Sequence, residues 1–407
     1  MQTNTLSQNG SYPTFRNRFH AEAYAVAGKM VLALRQRNLS PVFQKFILTE
    51  TQQNAIWLIG VLDQNRIGKI DPYGSESTLH QISTLVGGKP TIWSNTSGVR
   101  YAVLLAGRPQ LPELVPFPDD FITGVLPLGV TLRGSLSVSW QKMRNALITG
   151  TQGTGKSVFL TGAANIAMRQ GYVVYLADPE QHTFSPEMWD NLANAPVAYD
   201  EQALLAILRR IAVEMKHRNE LYRDVANGRR PPRNLEAYNQ LAQATGKDPL
   251  PRLVLIVDEA NDFFDDKSIV TELIELARHG RKWGLNIILA AHNWRAKDVP
   301  RNLSGRFPVR IAFHVDDDTS ARVVLDDAKL ARQAMKLNHP GRGIIRLDGK
   351  GTQVFQAYYL SEKQEDHWQA QIMRKPSRVL HTIPTQPPIS EDERRWALRA
   401  IRKRMEN

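Results

Sequence analysis

The sequence predicts an α/β protein of two domains, the larger a mostly parallel sheet between layers of helices. Three observations carry this. Short apolar runs alternate with longer helical segments from residue 146 to residue 313. A break rich in proline and aspartate, Pro112, Pro116, Pro118, Asp119 and Asp120, divides that region from an earlier, smaller one. A glycine-rich segment directly follows the first apolar run and directly precedes a helical pattern.

In the smaller region Ala23, Ala27, Met30, Val31 and Leu34 recur at helical spacing. Strand-like runs follow at 46–48 and 55–62, then a helix through Leu79, Ile82 and Val86 and a further strand at 99–105. The expected organisation is a flexible N-terminus (1–20), a small α/β domain (21–111), a linker (112–124), a main domain (125–362) and a C-terminal tether with a helix (363–407). Ser390 and Glu393 give that last helix a capping-box start. The strands of the main domain are expected at 146–148, 173–176, 253–257, 287–290 and 310–313.

With 407 residues and 42% hydrophobic content the chain can bury a large core. Its lack of cysteine excludes disulfides, thiolate metal sites and cysteine nucleophiles. The polar start and the lack of any apolar run near the roughly 18 residues of a membrane span predict a cytoplasmic protein with no membrane partner. A formal net charge of +12 favours a polyanionic partner. The histidines lack metal-ligand spacing, and no Ser-His-Asp arrangement stands out.

Gly150, Thr151, Gln152, Gly153, Thr154, Gly155, Lys156 and Ser157 fit the phosphate-loop pattern. Glycines let backbone N–H groups turn in around phosphates, and the lysine reaches the β and γ oxygens. The serine would hold magnesium, and Val158 continues the site into the helix, whose dipole also favours phosphate. The run Leu253–Val257 ends in Asp258 and Glu259. There Asp258 can bind Mg²⁺ through water and Glu259 can polarise an attacking water. The acidic pair favours ATP hydrolysis over phosphoryl transfer to a small molecule. ATP and Mg²⁺ are the expected cofactors, on a RecA-like P-loop core.

From Asn145 to about Leu360 the chain resembles the motor domain of FtsK/SpoIIIE DNA translocases, within the FtsK/HerA group. The matching segments are Asp178-Pro179; Glu214-Met215 with Arg218; Arg233-Asn234-Leu235; Leu276-Ala277; Arg281 to Leu285; and Pro308 to Phe313 with Ser320, Arg322, Leu325 and Asp326. Glu180 stands where the family commonly has Lys, His292 where it usually has Gln, and Ser304, flanked by Arg301 and Arg306, where it carries a Lys. The resemblance implies a ring, six subunits by family pattern, with ATP between neighbours and an arginine acting in trans. Arg281 is the first candidate for that arginine, and Arg310 a second candidate for a sensor or trans contact. His292 would supply a polar contact to phosphate or water that is sensitive to protonation near about pH 6.5.

DNA, in its double-stranded form, is the expected load. Arg229, Arg230 and Arg233 in one basic loop, and Arg295, Lys297 and Arg301 in another beside Trp294, are the candidate phosphate contacts. Solvated loops or subunit-interface patches are the alternative use of these residues. The competing function is an FtsK-like ATPase that moves or couples protein substrates in secretion or conjugation, with DNA binding secondary.

Overall fold

The computed structural model describes residues 4–5, 14–50, 55–94, 98–107, 111–132, 134–294, 299, 301–347 and 351–374. The strands are β1 (Asn4–Thr5), β2 (Phe43–Glu50), β3 (Ile56–Leu62), β4 (Thr91–Ser94), β5 (Arg100–Ala106), β6 (Val115–Pro116), β7 (Val125–Thr131), β8 (Gly134–Ser139), β9 (Asn145–Thr149), β10 (Val173–Ala177), β11 (Leu253–Val257), β12 (Leu285–Ala291), β13 (Val309–Ala312), β14 (Arg342–Leu347) and β15 (Gly351–Tyr359).

The first five form an antiparallel sheet in the order β1-β2-β3-β5-β4. Helices Thr14–Gln36 and Glu76–Leu85 cover it, with Ala23, Met30, Leu34 and Ile82 packed into one core with Leu58, Tyr101 and Val103. Ser75 caps the second helix, its hydroxyl accepting from Thr78 N at 3.3 Å. The first helix starts at Thr14, inside the stretch read from sequence as flexible.

The second sheet has ten strands, ordered β10-β11-β12-β9-β13-β14-β15-β7-β8, with β6 paired to β15 at Tyr358 and Tyr359. β9 through β13 are parallel to one another. The rest of the ladder is antiparallel apart from the short β6 pairing. Every residue of β9, β10, β11 and β12 is buried, as expected of strands covered on both faces. One face packs on helix Lys156–Arg169, and the other on helices Glu201–Ala226 and Lys267–His279. The chain leaves β9, crosses to β10, returns through β11 to β12, and then places β13 on the other side of β9. β9 is therefore where the direction of winding reverses, and α/β sheets bind ligands at the carboxyl ends of strands beside such a point.

The expected strands are present, and β6–β8, β14 and β15 extend the sheet beyond them. The segment read as a linker contributes β6 to the main sheet. The start of the expected tether is helix Glu362–Arg374, whose Trp368 is buried edge-on to Phe117 and lies 4.4 Å below the Arg169 guanidinium. The capping box at Ser390 and Glu393 lies outside the described residues. Among the described residues no helix is long and apolar enough to cross a membrane.

Candidate active site

The carboxyl ends of the parallel strands deliver the site. Thr149 ends β9 and leads into the phosphate loop, and Asp178, Asp258 and His292 directly follow β10, β11 and β12. Within the loop Gly155 has φ 98°, and a Cβ there would sit 2.9 Å from the Gly341 backbone nitrogen, so only glycine fits. Gly341 N donates to Thr154 O at 2.8 Å, which pins the loop to the segment before β14.

Lys156 is 3% exposed and donates to Asp258 Oδ1 at 2.5 Å and to Glu259 Oε1. Both carboxylates are buried, and one ammonium thus balances two acids. Glu259 adopts φ 42°, a left-handed conformation that costs a side-chain-bearing residue on the order of 1–3 kcal/mol. That turn aims the carboxylate back at β12. Its Oε2 accepts from His292 N at 3.1 Å, and its Oε1 lies 3.3 Å from His292 Nε2.

A cleft of about 950 Å³ opens here, lined by Thr151, Gln152, Gly153, Gly155, Lys156, Ser157 and Val158 of the loop and helix, and by Asp258, Glu259 and His292. Gly150 and Thr154 of the expected set serve the loop from behind. A Cβ on Gly150 would meet Phe313 Cβ at 2.8 Å, and Thr154 Oγ1 donates to Thr151 O at 2.6 Å.

Sequence reading missed Thr183. The Asp178 carboxylate accepts from Glu180 N, Thr183 N and Phe184 N, turning the loop after β10 so that the Thr183 hydroxyl comes 2.8 Å from Ser157 Oγ and 2.6 Å from Asp258 Oδ2. A single hydroxyl proton serves one acceptor. With Thr183 donating to the Asp258 carboxylate, the Ser157 hydroxyl donates to Thr183 and keeps its lone pairs toward the cleft. Asp178-Pro179 was the available signal, but it marks a turn and does not say which hydroxyl returns.

The donors facing the cleft at this point are oxygens, and no group of three or more His, Asp or Glu able to hold a metal occurs among the described residues. Such a set fits Mg²⁺, which takes few protein oxygens and keeps phosphate and water as its other ligands.

The arginines separate. Arg310, the second candidate for a sensor or trans contact, does not line its own subunit's cleft. Its Nε, Nη1 and Nη2 donate to Phe307 O, Val324 O and Ser304 O at 3.1, 3.0 and 3.0 Å, bracing the flank of β13. Arg281 is exposed in the turn Gly280–Trp283, ahead of β12. That is the amino end of a strand parallel to β9, so Arg281 lies at the opposite end of the sheet from its own phosphate loop. Arg229, Arg230 and Arg233 are exposed after helix Glu201–Ala226. This helix passes the Arg281 turn where Arg218 Nη1 donates to Trp283 O at 2.7 Å. The basic loop beyond it therefore also lies at the end away from the cleft. Arg295 and Lys297 fall outside the described residues, and Arg301 starts helix Arg301–Ser304. Trp294 is buried, its Nε1 donating to Ile148 O at 2.7 Å, so it is not available to stack a base.

The chain is 27% identical to the DNA translocase SftA of Bacillus subtilis over 248 residues, which are 59% of this chain and 25% of SftA. It is 28% identical to SpoIIIE of the same organism over 264 residues, 60% of this chain and 32% of SpoIIIE. Over these residues the chain resembles FtsK/SpoIIIE-type DNA translocases. It spans about a quarter to a third of the length of these curated relatives. No protein-family model matches it. Among solved structures, the monomer form of the pCW3 conjugation coupling protein TcpA with ATPγS superposes with a TM-score of 0.56 at 21% identity. That match covers 85% of this chain and 99% of TcpA. The cytoplasmic domain of the Type VII secretion ATPase EccC of Thermomonospora curvata gives 0.54 at 20% identity, over 69% of this chain and 35% of EccC. At these identities the likeness establishes the fold, a P-loop ATPase α/β core.

Proposed function

We propose that the chain is an ATP-hydrolysing DNA translocase. The observation that carries this is the convergence of Lys156, Ser157, Asp258 and Glu259 on one cleft at the carboxyl ends of the parallel strands, in a chain similar to DNA translocases. Lys156 and the loop N–H groups bind and orient the triphosphate. Ser157 and Asp258 would hold Mg²⁺, which when bound neutralises charge on the β and γ oxygens. Glu259, held by His292 N, orients and deprotonates the attacking water, and His292 Nε2 is placed to stabilise the carboxylate or the phosphate.

In this reading the working form is a homo-oligomeric ring, a hexamer, around double-stranded DNA in the cytoplasm. Arg281 of one subunit faces the nucleotide of the next, and Arg229, Arg230, Arg233, Arg295, Lys297 and Arg301 contact DNA phosphates. Residues 125–362 form the motor, with 21–111 as a separate module ahead of it. The test is ATP turnover with and without duplex DNA. Turnover is expected to rise with DNA and to fall by roughly 10²–10⁴-fold in Lys156→Ala or Glu259→Gln. Robust turnover indifferent to any DNA would remove DNA as the load.

A further inference from the structure

The phosphate loop is one end of a longer cleft. Its other wall is built from elements outside the loop and the acidic pair: Glu113 and Leu114 of the inter-domain segment, Pro340 and Gly341 before β14, and Tyr358 and Tyr359 at the end of β15. The connection between the two ends is continuous. Gly341 N donates to Thr154 O in the phosphate loop, and Gly341 O accepts from Ala357 N at 2.8 Å. Two residues further along β15, Tyr359 pairs with Pro116 of β6. The wall therefore starts in contact with the loop and runs away from it along β15.

The chemistry of the far end differs from that of the near end. Leu114 is 59% exposed and Tyr359 41% exposed, and both are large hydrophobic side chains on the wall of the cleft, where Pro340, Ala357 and Tyr358 also lie. Solvent-facing side chains of that kind, side by side on a cleft, mark a surface for a flat apolar ligand group. The segment bearing Leu114 is fixed: Arg342 donates through Nη2 to Leu111 O at 3.1 Å and Pro112 O at 2.9 Å, and through Nε to Gln356 Oε1 at 2.8 Å.

We propose that Leu114 and Tyr359 form the platform for the nucleotide's base, with Glu113 beside it as acceptor for ribose hydroxyls or an exocyclic amine. The proposal rests on the reading of Gly150 to Ser157 as the triphosphate site. It adds that the segment joining the small module to the motor is part of the nucleotide site. A bound nucleoside triphosphate then covers residues 113–114, whereas a bare polyphosphate does not.

The experiment is a competition titration against a fluorescent ATP analogue, with ATPγS and inorganic triphosphate as competitors, on the full chain. The proteins are wild type, Lys156→Ala and the double variant Leu114→Ala with Tyr359→Ala. The double variant is expected to lose roughly tenfold or more in ATPγS affinity while inorganic triphosphate competes as in wild type. Lys156→Ala is expected to weaken both. Limited proteolysis gives an independent readout: ATPγS slows cleavage between 111 and 124, and inorganic triphosphate leaves it unchanged. If wild type binds both competitors and the double variant binds ATPγS as tightly as wild type, the base platform is overturned and the phosphate site stands. If wild type binds neither competitor, the phosphate-site reading itself falls. Both substituted side chains are solvent-facing, and an unchanged thermal midpoint confirms that the double variant folds.

Discussion

Lys156 Nζ donates to Asp258 Oδ1 at 2.5 Å with both groups buried, and Glu259 shares the same ammonium. Two buried carboxylates thus depend on one cation. Lys156→Ala leaves them facing each other unpaired, a change that costs about 3–5 kcal/mol. Adding Glu259→Gln to Lys156→Ala removes one of the two charges and should restore part of that loss. Urea unfolding of the two single variants and the double measures the coupling. Equal stability of Lys156→Ala and the double variant would show that the acids do not repel, contrary to this account.

Thr183 ties Ser157 to Asp258, so Thr183→Val should release both while leaving Lys156 and the loop glycines in place. The expected result is a several-fold rise in the Mg²⁺ concentration that half-saturates ATPγS binding, with Mg²⁺-free nucleotide affinity unchanged. Thr183→Ser keeps the hydroxyl and should restore the wild-type curve. A valine variant with wild-type Mg²⁺ dependence would assign Thr183 to loop packing alone.

Because Arg281 sits ahead of β12 and the phosphate loop follows β9, Arg281 serves another subunit's nucleotide or none. Arg281→Ala and Lys156→Ala should each lack turnover, and a mixture of the two should recover part of it, since some interfaces then pair an intact arginine with an intact lysine. Loss of an arginine of this kind costs about 10³–10⁵ in rate. Full activity of Arg281→Ala alone would reassign it to the surface.

Glu365 titrates above the usual carboxylate range, mainly because it is buried against the phosphate-loop helix, with the Asn165 amide donating at 3.2 Å as a partial offset. A folded pKa above the unfolded value of 4.5 means that protonation favours the fold. Its stabilising contribution is therefore complete below about pH 4.5 and is lost as pH rises through the elevated value. Glu365→Gln should be more stable than wild type at pH 7, and the difference should shrink toward pH 4. Parallel urea titrations at the two pH values read this directly.

The parallel core was legible because strands buried on both faces are written as unbroken apolar runs, such as Leu253–Val257, and their ends carried the acids and the loop. The antiparallel half was not. β8, Gly-Ser-Leu-Ser-Val-Ser, alternates polar and apolar residues over six positions with one face in solvent, and β15 carries Gln353 and Gln356 among its apolar residues. The partners of Arg310 within its own chain were not legible, because an arginine beside a strand has no visible partner in sequence, and they are backbone carbonyls. Thr183 was invisible because a hydroxyl in a loop acquires meaning only from what the loop folds onto.

The two-pair register of β6 on β15, with Arg342 clasping Leu111 and Pro112 just ahead of it, also fixes how tension would pass through the chain. A pull on residues 21–107 reaches the clasp before it reaches β6, and the last link before the phosphate loop is the Gly341–Thr154 bond. The Arg342 clasp would be the first of these links to bear load. In single-molecule stretching between residue 21 and residue 362 it should appear as an early rupture ahead of sheet unfolding, and Arg342→Ala should erase that event.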